Sequence, residues 1–276
     1  MQTDWLEFWR ELATTFQKAE RAKDGRQTDE WLGRGQKFDA SVKKKLSLPD
    51  PLREFVLSRV HTWSTVLDVG AGTGGWTIPL AKNARRVTAI EPSPTMSSFL
   101  DANLAAGALT NVEIIRGRWE EVEVEPHDFV VCSHAMYASP DLLDFVRKME
   151  RAAREMCFLV MRVPSHDGVL GEANLLVRGQ WHDSPNFIVA YNALLSAGIH
   201  ASVMIEPRLK PWTNRSLEAA LGRARDHLRL GDDHRFDAEI RALLEQKLVL
   251  KDGLYYWPDG MRSALVWWKP GLSISP

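Results

Sequence analysis

Thr65–Val69, followed at once by Gly70-Ala-Gly-Thr-Gly-Gly75, leaves this chain few folds to choose from. The first five residues are apolar or β-branched apart from Asp68, which suits a central strand buried on both faces. Glycine tolerates positive φ and has no Cβ, so the backbone after that strand can turn sharply and lie close against a ligand. Trp76 to Asn83 reads as the next helix, with Pro79 tolerable only near its first turn. The N–H groups at such a helix start are expected to face the ligand. Arg86 to Ile90 reads as a second strand, closed by Glu91. A strand, a glycine turn, a helix and a strand ending in an acid open a doubly wound α/β sheet.

Two ligand classes use that layout. The spacing Gly70-x-Gly72-x-x-Gly75 satisfies the dinucleotide fingerprint, with an acid about 20 residues on. The spacing Gly70-x-Gly72-x-Gly74 satisfies the turn of enzymes that bind S-adenosylmethionine. The glycines do not separate them, but Asp68 helps. It stands two residues before the first glycine, where a carboxylate would repel a pyrophosphate across a low-dielectric site. A ligand with an ammonium and a sulfonium would instead give the buried acid a partner.

The stretches VLDVGAGTGGWTIPLA and VTAIEPSPTM resemble the class I S-adenosylmethionine-dependent methyltransferases, in the form common among small-molecule enzymes. The resemblance covers about residues 60 to 165. It implies a Rossmann-like, seven-stranded, doubly wound sheet and S-adenosylmethionine as cofactor. It places Asp68, Gly70, Ala71, Gly72, Thr73 and Gly74 around the methionine end, and Glu91 on the ribose hydroxyls. Pro92, Ser93 and Met96 would flank the adenine, and Ser133 and His134 would wall the cofactor from the end of the fourth strand. After the third strand this chain departs from the family. Arg116-Gly-Arg-Trp119 stands where an acid often accepts the adenine amino group, so Arg118 and Trp119 take that place, with Trp119 against the base and Glu120 or Glu121 as possible acceptors.

Residues 4 to 20 carry a helical stripe of Trp5, Phe8, Trp9, Leu12 and Phe16. Residues 21 to 50 are polar and read as loops and short helices, and Pro51 opens another helix. Residues 1–60 are thus expected to form a helical cap over the site, and 61–276 the core. Strands are expected at 65–69, 86–90, 111–115, 127–133, 156–163, 199–205 and 263–268, the last pairing with 254–257 or with the sixth strand. Two amphipathic helices at 214–247 point to a helical insertion at about 210–250, where such enzymes build a substrate lid.

Ligands sit beyond the C-terminal strand ends where strand order reverses. Past the fourth strand the chain reads Cys132-Ser-His-Ala-Met-Tyr137. His134 is a candidate general base, since imidazole titrates near neutrality, and Tyr137 a candidate to orient substrate or support it. His134 also reads as a cofactor-wall residue, and alignment without a base suffices for many such transfers. Aromatic and histidine candidates for substrate contact are Trp5, Trp9, Trp31, His166, His182, Tyr191, Tyr255, Tyr256 and Trp257, each of which also reads as packing. His166-Asp167 and His182-Asp183 are adjacent pairs, but neighbours on a strand point apart, and no metal site is expected.

With 35 basic and 36 acidic residues in 276, the net charge of −1 gives no electrostatic reason to expect a nucleic acid partner. Lys43-Lys44-Lys45 reads as a solvated face. The two cysteines, Cys132 and Cys157, lie in apolar runs and read as buried free thiols. No run reaches membrane-spanning length and no signal-peptide pattern opens the chain, so a cytoplasmic protein is the expectation. The reading is methyl transfer by in-line displacement to a small-molecule, non-nucleic-acid acceptor. The alternatives are a nicotinamide-dependent oxidoreductase and a non-catalytic S-adenosylmethionine-binding protein.

Overall fold

A computed structural model describes residues 3–24, 29, 31–164, 168–207 and 210–271. The chain opens with α1 (Trp5–Asp24), α2 (Gly35–Leu46) and α3 (Pro51–Leu57). Asp50 caps α3, accepting from the N–H groups of Leu52 and Arg53, and Pro51 sits in the first turn where no N–H is missed. The core then alternates: β1 (Thr65–Val69), α4 (Thr77–Ala81), β2 (Arg86–Ile90), α5 (Pro94–Ala106), β3 (Val112–Ile115), β4 (His127–Ser133), α6 (Leu142–Ala152) and β5 (Ala153–Arg162). α7 (Val169–Arg178), α8 (Phe187–Ser196), β6 (Ser202–Ile205), β7 (Lys210–Asn214), α9 (Leu217–Leu228), α10 (Asp237–Lys247), β8 (Val249–Lys251), β9 (Leu254–Met261) and β10 (Ser263–Trp268) complete it.

Seven strands form one sheet in the order β3-β2-β1-β4-β5-β10-β6. β1 pairs in parallel with both β2 and β4, so strand order reverses beside it. β10 is antiparallel to β5 and β6. Of the two pairings open for the last strand, it takes the sixth strand. Residues 254–261 go instead to a second sheet of order β7-β9-β8.

Alternation along each strand builds two cores. Val66, Val87, Phe129, Val131, Phe158, Val160 and Leu265 face α3 and α4. Leu67, Val69, Val130, Cys132, Cys157, Leu159, Met161 and Val266 face α1, α6 and α8. Burial on both faces is why β1 is apolar apart from Thr65 and Asp68. A third core joins α7, α9 and α10 to the small sheet through Leu170, Ala173, Leu221, Leu228, Ile240, Leu244 and Trp257.

The helical unit is therefore larger than residues 210–250. It recruits α7 and the three short strands. α7 escapes the periodicity because Gly168, Gly171 and Gly179 read as loop. Gly171 is needed there, since a Cβ would lie 2.9 Å from the Trp181 ring, and Gly179 ends the helix at φ +69°. β7 carries Pro211, which a sheet tolerates at its edge, and β7 is an edge strand.

Candidate active site

The turn after β1 follows one of the two spacings. Gly70, Gly72 and Gly74 have φ of +75°, +58° and +102°, and Gly75 is not among the positive-φ residues. The Gly70 and Ala71 N–H groups both donate to Ile90 O at 2.9 Å, and Gly72 N–H donates to Glu91 Oε2 at 2.7 Å. The other oxygen of Glu91 accepts from Ser93 N–H at 2.8 Å. A Cβ on Gly70 would lie 2.2 Å from the Cβ of Ala135, so the loops after β1 and β4 meet at their backbones. The helix expected over 76–83 shrinks to the five residues of α4, too few to act as a macrodipole. Holding a ligand therefore falls to the turn itself.

Asp68 is 1% exposed and accepts from the Thr77 hydroxyl at 2.6 Å. Burial pushes its pKa up to about 7; the Thr77 hydrogen bond works against that rise and the charge of Glu91 adds to it. The neutral form of Asp68 is thus favoured near neutrality, and a cation beside it would favour the charged form.

The N-terminal segment closes over this turn. Phe38 of α2 reaches within 3.8 Å of where a Gly72 Cβ would lie, and its ring meets Trp31 at 4.8 Å. Asn103 of α5 donates to Asp39 Oδ1 at 2.7 Å and to Thr73 O at 2.9 Å, binding α2, α5 and the turn together. Lys43 pairs with the second Asp39 oxygen at 2.7 Å. Asp29 accepts from the Ser93 hydroxyl and the Thr95 N–H, each at 2.8 Å. Asp29 and Asp39 gave no sequence signal, because a polar stretch shows no period that would mark which acids are buried, and Phe38 and Asn103 are not singled out by any motif.

Some expected cofactor contacts fall elsewhere. Trp119 is 4% exposed within the core. Its N–H donates to Phe145 O at 3.3 Å, its ring stands edge-on to Phe145, and the Lys148 ammonium lies 4.8 Å from its centre. An indole with its N–H and one face taken is packing, not a platform for a base. Arg118 is exposed, within 3.9 Å of Glu120 and 3.8 Å of Glu121. Met96 is buried, Pro92 is exposed, and the Ser93 hydroxyl is committed to capping α5 and to Asp29. We expect Trp119→Phe to cost about 1 kcal/mol, the worth of one buried hydrogen bond. Its affinity for S-adenosylhomocysteine should match the parent by calorimetry; a tenfold loss would return the indole to the adenine.

Past β4, Ser133 is half-buried and His134 takes φ +58°, rare for a residue with a Cβ and a sign of a backbone held by its surroundings. His134 Nδ1 lies 2.8 Å from the Tyr137 hydroxyl and Nε2 lies 3.4 Å from Ser263 Oγ. The residue is exposed at its edge, yet desolvation of its ring, then the charges of Lys45 and Arg162, hold its pKa down at about 4. It is neutral at physiological pH and a weak base. Burial raises the Tyr137 pKa far above its ordinary value, so the phenol stays protonated.

The other aromatic candidates do not converge. Trp9 is fully buried and donates to Ser139 O at 2.8 Å. Tyr191 donates to Ala201 O, and Trp257 donates to Asn214 Oδ1 inside the helical unit, where Tyr255 also packs. His182 sits edge-on to Phe8, against which Trp5 also packs. Trp31 is the one that reaches the turn, through Phe38. His166 and Asp167 lie outside the described residues. Cys132 and Cys157 are buried free thiols. Among the described residues no three His, Cys, Asp or Glu side chains gather as metal ligands, and no helix is long and apolar enough to cross a membrane.

Residues 66–156 match a family model described as a methyltransferase domain. The fold is shared with the YcgJ protein of Bacillus subtilis (TM-score 0.53, 14% identity, 78% of this chain and 96% of that one). It is also shared with a putative methyltransferase of Bacillus halodurans (TM-score 0.54, 15% identity, again 78% and 96%). Among curated proteins, a probable ribosomal RNA small subunit methyltransferase A of Methanosphaera stadtmanae is 32% identical over 97 residues, 34% of this chain and 36% of its own length. One of the same name from Pyrobaculum aerophilum is 39% identical over 103 residues, 36% and 43%. The match thus spans less than half the length of these relatives.

Proposed function

We propose that this chain, whose residues 66–156 match a methyltransferase-domain model, is a class I S-adenosylmethionine-dependent enzyme that transfers a methyl group to a small-molecule acceptor. The observation that carries the reading is the turn. Its three positive-φ glycines follow the 70-72-74 spacing, and the Glu91 carboxylate lies at its centre. When bound, S-adenosylmethionine supplies a methyl already activated by its sulfonium. Asp68, a buried acid hydrogen-bonded by Thr77, would take the cationic amino acid end. Glu91 would take the ribose, with the turn from Gly70 to Gly74 supplying close backbone approach. A nicotinamide enzyme would leave Asp68 facing a like-charged pyrophosphate.

Alignment is the work left to the far wall. His134 at a pKa of about 4 removes protons poorly at neutral pH, so we assign it to hold the acceptor rather than to ionise it. Holding an acceptor atom about 3 Å from the methyl, in line with the leaving sulfur, is enough for large acceleration. The cap made by α2 would exclude water from that line.

An RNA acceptor is the second reading. It rests on the names of the curated relatives and on Lys44 and Lys45, exposed at the end of α2. Against it stand the near-neutral charge and the sequence Ser133-His134-Ala135-Met136-Tyr137, which lacks the Asn-Pro-Pro-Tyr pattern of amino-group methylation.

Calorimetry with S-adenosylhomocysteine and with NAD tests the cofactor: binding of NAD alone would overturn it. Radiolabelled methyl transfer into a small-metabolite fraction and into total RNA tests the acceptor. Label in RNA with steep salt dependence overturns the small-molecule reading. Cofactor binding with label in neither fraction leaves a binding protein.

A further inference from the structure

Tyr137 satisfies a stranded backbone group, and in doing so fixes a proton. β4 and β5 run parallel, and the last strand-like bond between them is His134 N–H to Val160 O at 3.0 Å. β4 then turns away at the left-handed His134. The next N–H of β5 on that side, from Arg162, donates to the Tyr137 hydroxyl oxygen at 2.6 Å. A backbone N–H can only donate, so the phenol oxygen is the acceptor there and must send its own proton elsewhere. His134 Nδ1, at 2.8 Å, is in place to receive it. Nδ1 is then the unprotonated nitrogen, and the ring proton sits on Nε2, facing Ser263 Oγ at 3.4 Å.

Arg162 is itself held from the helical unit. Its Nη2 bonds Asp183 Oδ1 and Ser184 Oγ, both at 2.6 Å. The Asp183 side chain is 5% exposed, and its second oxygen meets His227 Nε2 on α9. A carboxylate this buried persists as a charge because it has two partners, and Arg162 and His227 together hold its pKa far below the usual range against the effect of burial. His227 in turn touches Trp212 of β7. A chain of contacts thus runs from α9 through Asp183, Arg162 and Tyr137 to His134.

We propose that Asp183 is a positioning residue. It anchors Arg162 at the end of β5 where its N–H meets Tyr137, and Tyr137 pins the His134 proton on Nε2. His134 then presents a hydrogen-bond donor to the cleft, available to an oxygen or nitrogen lone pair of an acceptor that displaces Ser263. The acceptor half of this statement rests on the methyltransferase reading; the placement of the proton does not.

Long-range proton–nitrogen NMR of the full chain, labelled with ¹⁵N-histidine, reads the tautomer directly. His134→Gln assigns its signals among the eight histidines. The parent is expected to show a protonated Nε2 and an unprotonated Nδ1 at neutral pH. Tyr137→Phe and Asp183→Asn are each expected to shift both nitrogens toward the values of a tautomer mixture. His227→Gln, which keeps a donor for Asp183, should leave them in place. Arg162→Met removes the Nη2 that bonds both Asp183 and Ser184 but keeps the backbone N–H, and is expected to give the mixture if Asp183→Asn does not fold. S-adenosylhomocysteine affinity, followed by calorimetry, should stay level in the Asp183, Arg162 and His227 variants. A parent His134 protonated on Nδ1, or variants of Asp183 and Arg162 with the parent pattern, would overturn the proposal. Failure of the parent to bind S-adenosylhomocysteine would remove the cofactor reading and leave the tautomer result standing.

Discussion

Gly70→Ala is expected to abolish measurable S-adenosylhomocysteine binding and to lower the melting temperature by roughly 6 to 12 °C. Two costs add at this position. The φ of +75° is left-handed, which costs a residue with a Cβ about 1–2 kcal/mol. The new Cβ would also lie 2.2 Å from the Cβ of Ala135, an atom fixed to its own backbone with no rotamer to yield. Forcing that contact costs about 1–3 kcal/mol more. The relief is outward movement of the loop that carries His134, and the turn then opens where a ligand must be gripped. Affinity should fall at least about 100-fold, close to 3 kcal/mol. Gly253→Ala separates the two costs, since Gly253 has φ +72° with nothing within 4 Å of the added atom. It should lose stability from strain alone and keep full affinity. Gly75→Ala would meet only Val42 Cγ1 at 3.3 Å with no positive φ and should be mild. That mildness also speaks to cofactor class, because the dinucleotide spacing needs its third glycine at 75. Equal damage at 70 and 75 would count against the geometry described here.

What could be read from the sequence was local. The β1 turn, Glu91 and β4 are each written in contiguous residues, and their boundaries follow from runs that only a buried strand tolerates. The resemblance implied seven strands but not their order, since no periodicity says that β10 lies between β5 and β6. The misread features depend on partners far away in sequence. Trp119 has the right chemistry for stacking on a base, but the choice between adenine and Phe145 is made by how α6 packs. Asp29 and Asp39 look like any acids in a polar segment until Ser93 and Asn103 arrive from α5. α7 was hidden by glycines, one of which is there for a tryptophan ten residues on. His134 and Tyr137 were legible as a pair three residues apart. Their hydrogen-bond direction was not, because it is set by a backbone N–H from β5.

Asp68 gives the second large effect, and it is a matter of pH. Its folded pKa is raised to about 7 from an ordinary 3.8, with burial as the main cause. A raised acid favours the protonated folded state. The cofactor-free protein should therefore lose stability as pH climbs from about 4 toward 7, the interval in which the unfolded chain ionises Asp68 and the folded chain resists. A cationic ligand reverses this by giving the carboxylate a partner, so binding must expel the proton wherever the free site holds one. Below pH 7 each unit of acid then costs about tenfold in affinity, and titrations at pH 8 and pH 5.5 should differ by about 30-fold. The amino group of S-adenosylhomocysteine stays charged across this window, and His134, at about 4, titrates below it. Asp68→Asn keeps the shape and the Thr77 contact while removing the titration. It should bind weakly at every pH with a flat profile. The linked proton has a direct readout as well: binding heats in buffers of different ionisation enthalpy should report release of close to one proton at pH 6 and almost none at pH 8.5. A parent profile as flat as that of the variant would mean that Asp68 meets no cation, and the assignment of the amino acid end to this corner of the turn would fall with it.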